Sequence, residues 1–300
     1  MAHFSTFQDR ITDILRNKRT HLPTLPVIAQ NIIQVSRDPD TSAMDLAAFI
    51  EKDQAIANKV LRMANSPYYG MGKKVDTVFR AITVIGFDEI VGLAVGTGIM
   101  PSLKTSQIGK ILDMRQLWMH SLACCFAGRT IVRKVYDNES GHQQPVKTDD
   151  NNIFLPTLLH DMGKVLFAIY FPEQYALALE NALQNKVPLS LVEQDLFGLD
   201  HAVFAAQLME YWNFPATIIT PVLYHHRPEK CVDMGLEARV LYLANALVRK
   251  VRIGNSYNAQ SYEPEKMAAE IGLGADDLQS CAEILDRHRN EVAQFLEYIS

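Results

Sequence analysis

Leu158-Leu159-His160-Asp161-Met162-Gly163-Lys164 is the stretch on which the reading of this chain turns. The surrounding pattern predicts a helix over 153–164, ending where Gly163 allows a tight turn. A neutral imidazole beside a carboxylate suits a divalent ion, and a carboxylate can bridge two metals. The nearby Lys164 ammonium can hold a phosphate oxygen as a point charge.

Outward from that stretch the periodicity is helical nearly everywhere, and strand-type alternation is hard to find. Leu46, Ile50, Ala57, Val60, Leu61 and Ala64 follow three- and four-residue steps, with Ser42 and Asp45 placed as a capping box. Asn65-Ser66-Pro67 stops that run, and Gly86 supplies a left-handed end to a helix over 77–85. A further helix begins at Asp88. The pattern weakens between Pro101 and Arg115, which marks a lobe boundary, and resumes at Gln116 with Trp118, Leu122, Cys125 and Val132. A polar stretch over 137–152 reads as a surface loop. More helices follow over 188–196, 201–212, 216–226, 237–252 and from Glu263 onward. The expected fold is all-α and two-lobed: an N-terminal helix (1–20), an N-terminal lobe (21–105) and a C-terminal lobe (106–300).

Composition excludes several classes. With 48% hydrophobic and 21% charged residues the chain reads as globular. A net charge of −5, with only small basic clusters at Arg16, Lys18, Arg19 and Lys73-Lys74, argues against nucleic acid as main partner. The most apolar run, Ile90 to Met100, is too short for a bilayer, which needs about 20 residues. Cys124, Cys125, Cys231 and Cys281 show no CxxC spacing, and no signal peptide is visible. The expectation is a cytoplasmic protein.

Five of nine histidines stand apart on or beside predicted helices: His120, His160, His201, His225 and His226. Each also has an ordinary explanation. Asp200 can be a helix cap with His201 in the first turn, and His225-His226 can be a solvated helix end. Adjacent His225 and His226 would point about 100° apart on a regular helix, so one alone would face a shared ligand unless Pro221 distorts it. His3, His21, His142 and His288 carry no further signal.

The seven-residue stretch at 158–164 resembles the signature of the HD metal-dependent phosphohydrolase superfamily, and the wider chain resembles its HDOD branch. Three segments carry that likeness: Leu22-Pro23-Thr24-Leu25-Pro26; Val60 through Asn65-Ser66-Pro67-Tyr68-Tyr69-Gly70; and Asp200-His201-Ala202 through Trp212-Asn213-Phe214-Pro215 to His225-His226. The resemblance implies an HD-like helical bundle as C-terminal lobe and a role in bacterial signal transduction. It implies a divalent-metal set of His120, His160, Asp161, His201, His225 and His226, with iron, manganese, magnesium, zinc and nickel all compatible. The family's final aspartate falls at Asn245, a weaker neutral ligand. The first expectation is therefore a regulatory protein with a retained metal site and little or no catalysis. The alternatives are an active phosphohydrolase on a nucleotide or cyclic dinucleotide, with Asp161 and Lys164 catalytic, and a metal-free interaction module. Partners would be a signalling protein or a phosphorylated small molecule, with neither nucleic acid nor membrane.

Overall fold

Apolar residues recurring every three or four positions build helices from end to end in the computed structural model. It describes residues 7–16, 23–38, 40–69, 74–102, 108–140, 153–258 and 263–299. In chain order the helices are α1 (Phe7–Arg16), α2 (Val27–Ser36), α3 (Ala43–Ile50), α4 (Gln54–Ala64), α5 (Val78–Ile85), α6 (Phe87–Ser102), α7 (Met114–Ser140), α8 (Phe154–Leu159) and α9 (Met162–Tyr170). Then come α10 (Pro172–Asn185), α11 (Leu189–Phe197), α12 (His201–Tyr211), α13 (Ala216–Tyr224), α14 (Gly235–Val251), α15 (Pro264–Ala269), α16 (Ala275–Arg287) and α17 (Arg289–Ile299). No strand occurs among the described residues, and none of their helices is long and apolar enough to cross a membrane.

Local chemistry fixes several boundaries. Ser42 and Asp45 form the capping box of α3, and Asp53 accepts from the amides of Ala55 and Ile56 to start α4. Asn65 ends α4 because its amide donates to the carbonyls of Leu61 and Val75 while its oxygen accepts from Val75 N. Gly86, at φ 109°, ends α5. Leu22, Gly70 and Lys73, with His3, His21 and His142, lie outside the described residues.

Four expectations need correction. The single helical run from Ser42 to Ala64 is two helices, α3 and α4, because the chain leaves the helix at 51–53 and Asp53 caps a new one. The helix over 153–164 is two helices, broken at His160-Asp161: His160 caps α8 and Asp161 opens α9. Gly163 is consequently no turn residue. It sits in the first turn of α9 because α12 crosses there, and a Cβ on it would lie 1.9 Å from the His201 carbonyl oxygen. The helix over 216–226 ends at Tyr224, so both histidines of the doublet lie in the turn beyond it. Helices α2 and α10 had not been singled out. In α10 the buried stripe is only Tyr175, Ala178 and Ala182 while Leu177 and Leu183 are exposed, which blurs the apolar period.

The long helix α7 is the axis of the molecule, with α8, α14, α16 and α17 packed along it. Helix α6 lies against α8, where a Cβ on Gly92 or Gly96 would meet Phe154 at 2.6 Å or Leu158 at 2.4 Å. Those glycines let the backbones approach, which explains why they punctuate the most apolar run in the sequence. Buried residues from α2 through α17 belong to one continuous core.

Candidate metal centre

Four helix ends and one helix interior converge on Asp161. Because α8 stops at Leu159 and α9 starts at Met162, the His160 and Asp161 side chains project from the joint into one enclosed space. Helix α12 brings His201 at its first position, fixed by the Asp200 side chain accepting from Val203 N. The turn after α13 brings His225 and His226, whose rings lie 3.9 Å apart. Helix α7 brings His120 from its interior.

The spacing fits a coordination sphere. From Asp161 Oδ1, the Nε2 atoms of His160 and His201 lie 3.4 and 3.5 Å away. His120 Nε2 is 4.0 Å from the other carboxylate oxygen, and His226 Nε2 is 2.8 Å from His201 Nε2. Ligands bound about 2.1 Å from one ion at tetrahedral or octahedral angles stand roughly 3.0–3.4 Å apart. His160, Asp161 and His225 can place one donor atom each within 4.8 Å of one another, as can His201, His225 and His226.

The outer nitrogens are tied down. His160 Nδ1 is 2.7 Å from the Thr157 carbonyl, His225 Nδ1 is 2.6 Å from the Val222 carbonyl, and His201 Nδ1 is 2.5 Å from Glu193 Oε2. A donor at each Nδ1 leaves Nε2 as the lone-pair atom, which is the tautomer a metal requires. His160 Nε2, His225 Nε2 and Asp161 Oδ2 are buried with no hydrogen-bond partner among the described residues, while Asp161 Oδ1 faces the Lys164 ammonium at 2.7 Å. Such buried, convergent, unsatisfied donors fit a divalent cation.

Burial keeps the imidazoles neutral. It pushes His120 and His201 down to about 3, and it also lowers His160, His225 and His226. Burial alone would raise the Asp161 carboxyl. The surrounding histidines and the Lys164 ammonium outweigh it and hold Asp161 well below the usual carboxylate range. Since the rings are neutral, Lys164 is the formal charge responsible.

Lys164 is the feature least like the sequence expectation. Its ammonium is buried, 2.7 Å from Asp161 Oδ1, and donates to the Ser256 carbonyl at 2.7 Å. It is a counter-ion inside the cage, not a group held out toward a phosphate. The segment after α14 that supplies Ser256 is braced against α7: Asn255 N donates to Gln116 O, and Gly254 (φ 66°) lies where a Cβ would meet His120 N at 2.3 Å.

His120, His160, Asp161, His201, His225 and His226 are thus brought together, while Asn245 is buried on α14, the helix packed along α7. Two site residues were missed. Glu193 Oε2 accepts from His201 N, and its Oε1 accepts from the Tyr175 hydroxyl at 2.9 Å. Leu189, Glu193 and Phe197 are spaced i, i+4, i+8 and all buried, so a carboxylate on an apolar stripe was the available signal. Burial pushes Glu193 up to about 8. Cys124, one turn beyond His120, lies 3.6 Å from His120 Nε2, its thiol raised well above the usual range by burial. His226 also borders a cavity of about 220 Å³ lined by Pro188, Ser190, Gln194, Asp200 and Arg227.

The HDOD domain model matches residues 22–228. The chain belongs to the HDOD family. An uncharacterized protein of Treponema pallidum (strain Nichols) is 24% identical over 222 residues, which are 74% of this chain and 39% of that protein. This HDOD chain therefore spans well under half the length of that relative. Its fold is similar to a Marinobacter aquaeolei VT8 protein described as acting in signal transduction (TM-score 0.72, 24% identity, all of this chain and 62% of the other). It is also similar to a Shewanella amazonensis SB2B protein described as a phosphohydrolase (TM-score 0.71, 18% identity, 97% of this chain and 98% of the other). Both likenesses are of fold.

Proposed function

We propose that this HDOD protein is a bacterial signalling component whose cage binds a divalent metal and turns over little or no phosphoester. The observation that carries the metal is the set of three histidines, His160, His201 and His225, each tied at Nδ1 around one buried carboxylate. His120, His160, Asp161, His201, His225 and His226 would hold it, with the neutral Asn245 a weaker seventh. When bound, such an ion supplies Lewis acidity and lowers the pKa of attached water.

The charge inventory argues against turnover. Asp161 is the one carboxylate among those ligands, and Lys164 already offsets it. A dication entering this cage meets less negative charge than Asp at position 245 would provide. One observation favours a second reading, metal-dependent hydrolysis of a nucleotide or cyclic dinucleotide: a cavity with room for part of a small ligand borders His226.

Elemental analysis of protein purified without added metal tests the first claim. Near-stoichiometric metal, lost in His160→Ala, is expected. Metal that is trace in amount and indifferent to His160→Ala would sink it. Assays of phosphomonoesters, nucleotides and cyclic dinucleotides with manganese or iron then separate the two readings. Turnover abolished in Asp161→Ala would defeat the non-catalytic one. Asn245→Asp should raise metal occupancy and bring turnover up from the baseline.

A further inference from the structure

The geometry points to a second binding site, for a small phosphorylated anion of mononucleotide size, in the cavity enclosed by Tyr69, α5, α7 and the end of α16. This cavity measures about 420 Å³, within the range of roughly 300–1,000 Å³ usual for small-ligand sites. Its cations come from one face of α7: Arg129, Arg133 and Lys134. His288, the cap of α16, adds an imidazole fixed by Nδ1 at 2.7 Å from the Ile284 carbonyl. Asp137 is the one carboxylate in the lining.

Those cations are committed to different degrees. Arg129 is anchored, with Nη1 3.0 Å from Glu89 and its guanidinium over the Tyr69 ring at 5.3 Å. Lys134 reaches Asp277 only at 3.8 Å. Arg133 is exposed and has no ion-pair partner within 4.0 Å among the described residues. Glu89 and Asp277 are not part of the lining, so a bound anion would stand nearer the three cations than those two carboxylates. Burial also pushes Glu89 up to about 7, which leaves the Arg129 charge only partly cancelled near neutrality.

Two guanidinium forks and an ammonium match the several oxygens of a phosphate better than a single carboxylate. Val84, Ile284 and the Tyr69 ring offer apolar wall for the remainder of such a molecule. Two other cavities among the described residues lack this chemistry. The one at Thr24, Gln30 and Trp212 is lined by Glu210 and no cation, and Arg227, beside His226, is already 3.4 Å from Asp200. The site also has a physical link to the metal cage, since Arg129 lies nine residues beyond His120 on α7, a rise of about 13 Å. It requires no metal.

Isothermal titration of the full chain, dialysed against chelator, with inorganic phosphate, pyrophosphate, AMP, GMP and ADP tests the site. Saturable binding is expected, weaker by about tenfold or more in Arg133→Glu and in Lys134→Gln, both checked by circular dichroism. Adenosine should bind far more weakly than AMP. The site is overturned by absence of saturable binding, by equal affinity in both variants, or by adenosine matching AMP. Binding lost in Asp161→Ala yet kept in Arg133→Glu would also overturn it, because the anion would then sit in the cage.

Discussion

The ammonium of Lys164 and the carboxylate of Asp161 are 2.7 Å apart with both side chains buried, so the central carboxylate carries its own cation. Any divalent metal has to bind against that charge. Even at an effective dielectric near 20, a like charge about 5 Å away costs several kcal/mol. Lys164→Met should therefore bind manganese or zinc at least about tenfold more tightly, measured by competition with a chromophoric chelator. Equal affinities in a folded variant would show that the ammonium moves aside without cost.

Glu193 and His201 form the other decisive pair. The carboxylate holds Nδ1 and the backbone amide of His201 while accepting from Tyr175, so it sets the ring angle and satisfies a buried donor. Glu193→Ala should cost about 2–3 kcal/mol of stability in metal-free protein and weaken metal affinity about 10–100-fold. Glu193→Gln keeps an acceptor for His201 and should fall between the alanine variant and the parent on both scales. Urea unfolding and metal titration of the three proteins check the order, and an alanine variant with parental affinity refutes it.

Sequence patterning disclosed a helix where one face is cleanly apolar, as in α7, ran α3 and α4 together through 51–53, and lost helices where exposed leucines blur the stripe, as in α10. The ligand set was legible mainly through family resemblance, because residues 120 to 226 are joined only by tertiary packing. At the two joints that carry the cage, local rules failed for one reason. Helical spacing was extended through His160-Asp161 and through His225-His226, whereas the chain leaves the helix at both. Those breaks are what let adjacent side chains share a target. The role of Lys164 depends on the Ser256 carbonyl, 92 residues away, and no local pattern encodes that.

Gly163 reports on the same joint. A methyl group there would lie 1.9 Å from the His201 carbonyl oxygen, a backbone atom that cannot swing away. Gly163→Ala is expected to push α9 off α12, costing about 3 kcal/mol or more and weakening metal binding together with stability. Thermal denaturation and metal titration are the readouts. A variant melting within a few degrees of the parent would mean that the two helices are not in contact as described.

Glu89, away from the cage, sets a pH dependence. Burial raises its carboxyl from 4.5 to about 7, against the pull of Arg129 at 3.0 Å. Between those two values the folded protein binds more protons at this site than the unfolded chain, so stability falls as pH rises. The contribution is fully present below about pH 4.5 and lost as pH passes through 7. Glu89→Gln removes the titration, and its stability curve should be flatter than the parent's across this window by on the order of 2 kcal/mol. Urea unfolding of both proteins at intervals from pH 4.5 to 8 measures the difference between the two slopes. Parallel curves would mean that Glu89 stays ionised throughout, held by Arg129 despite its burial.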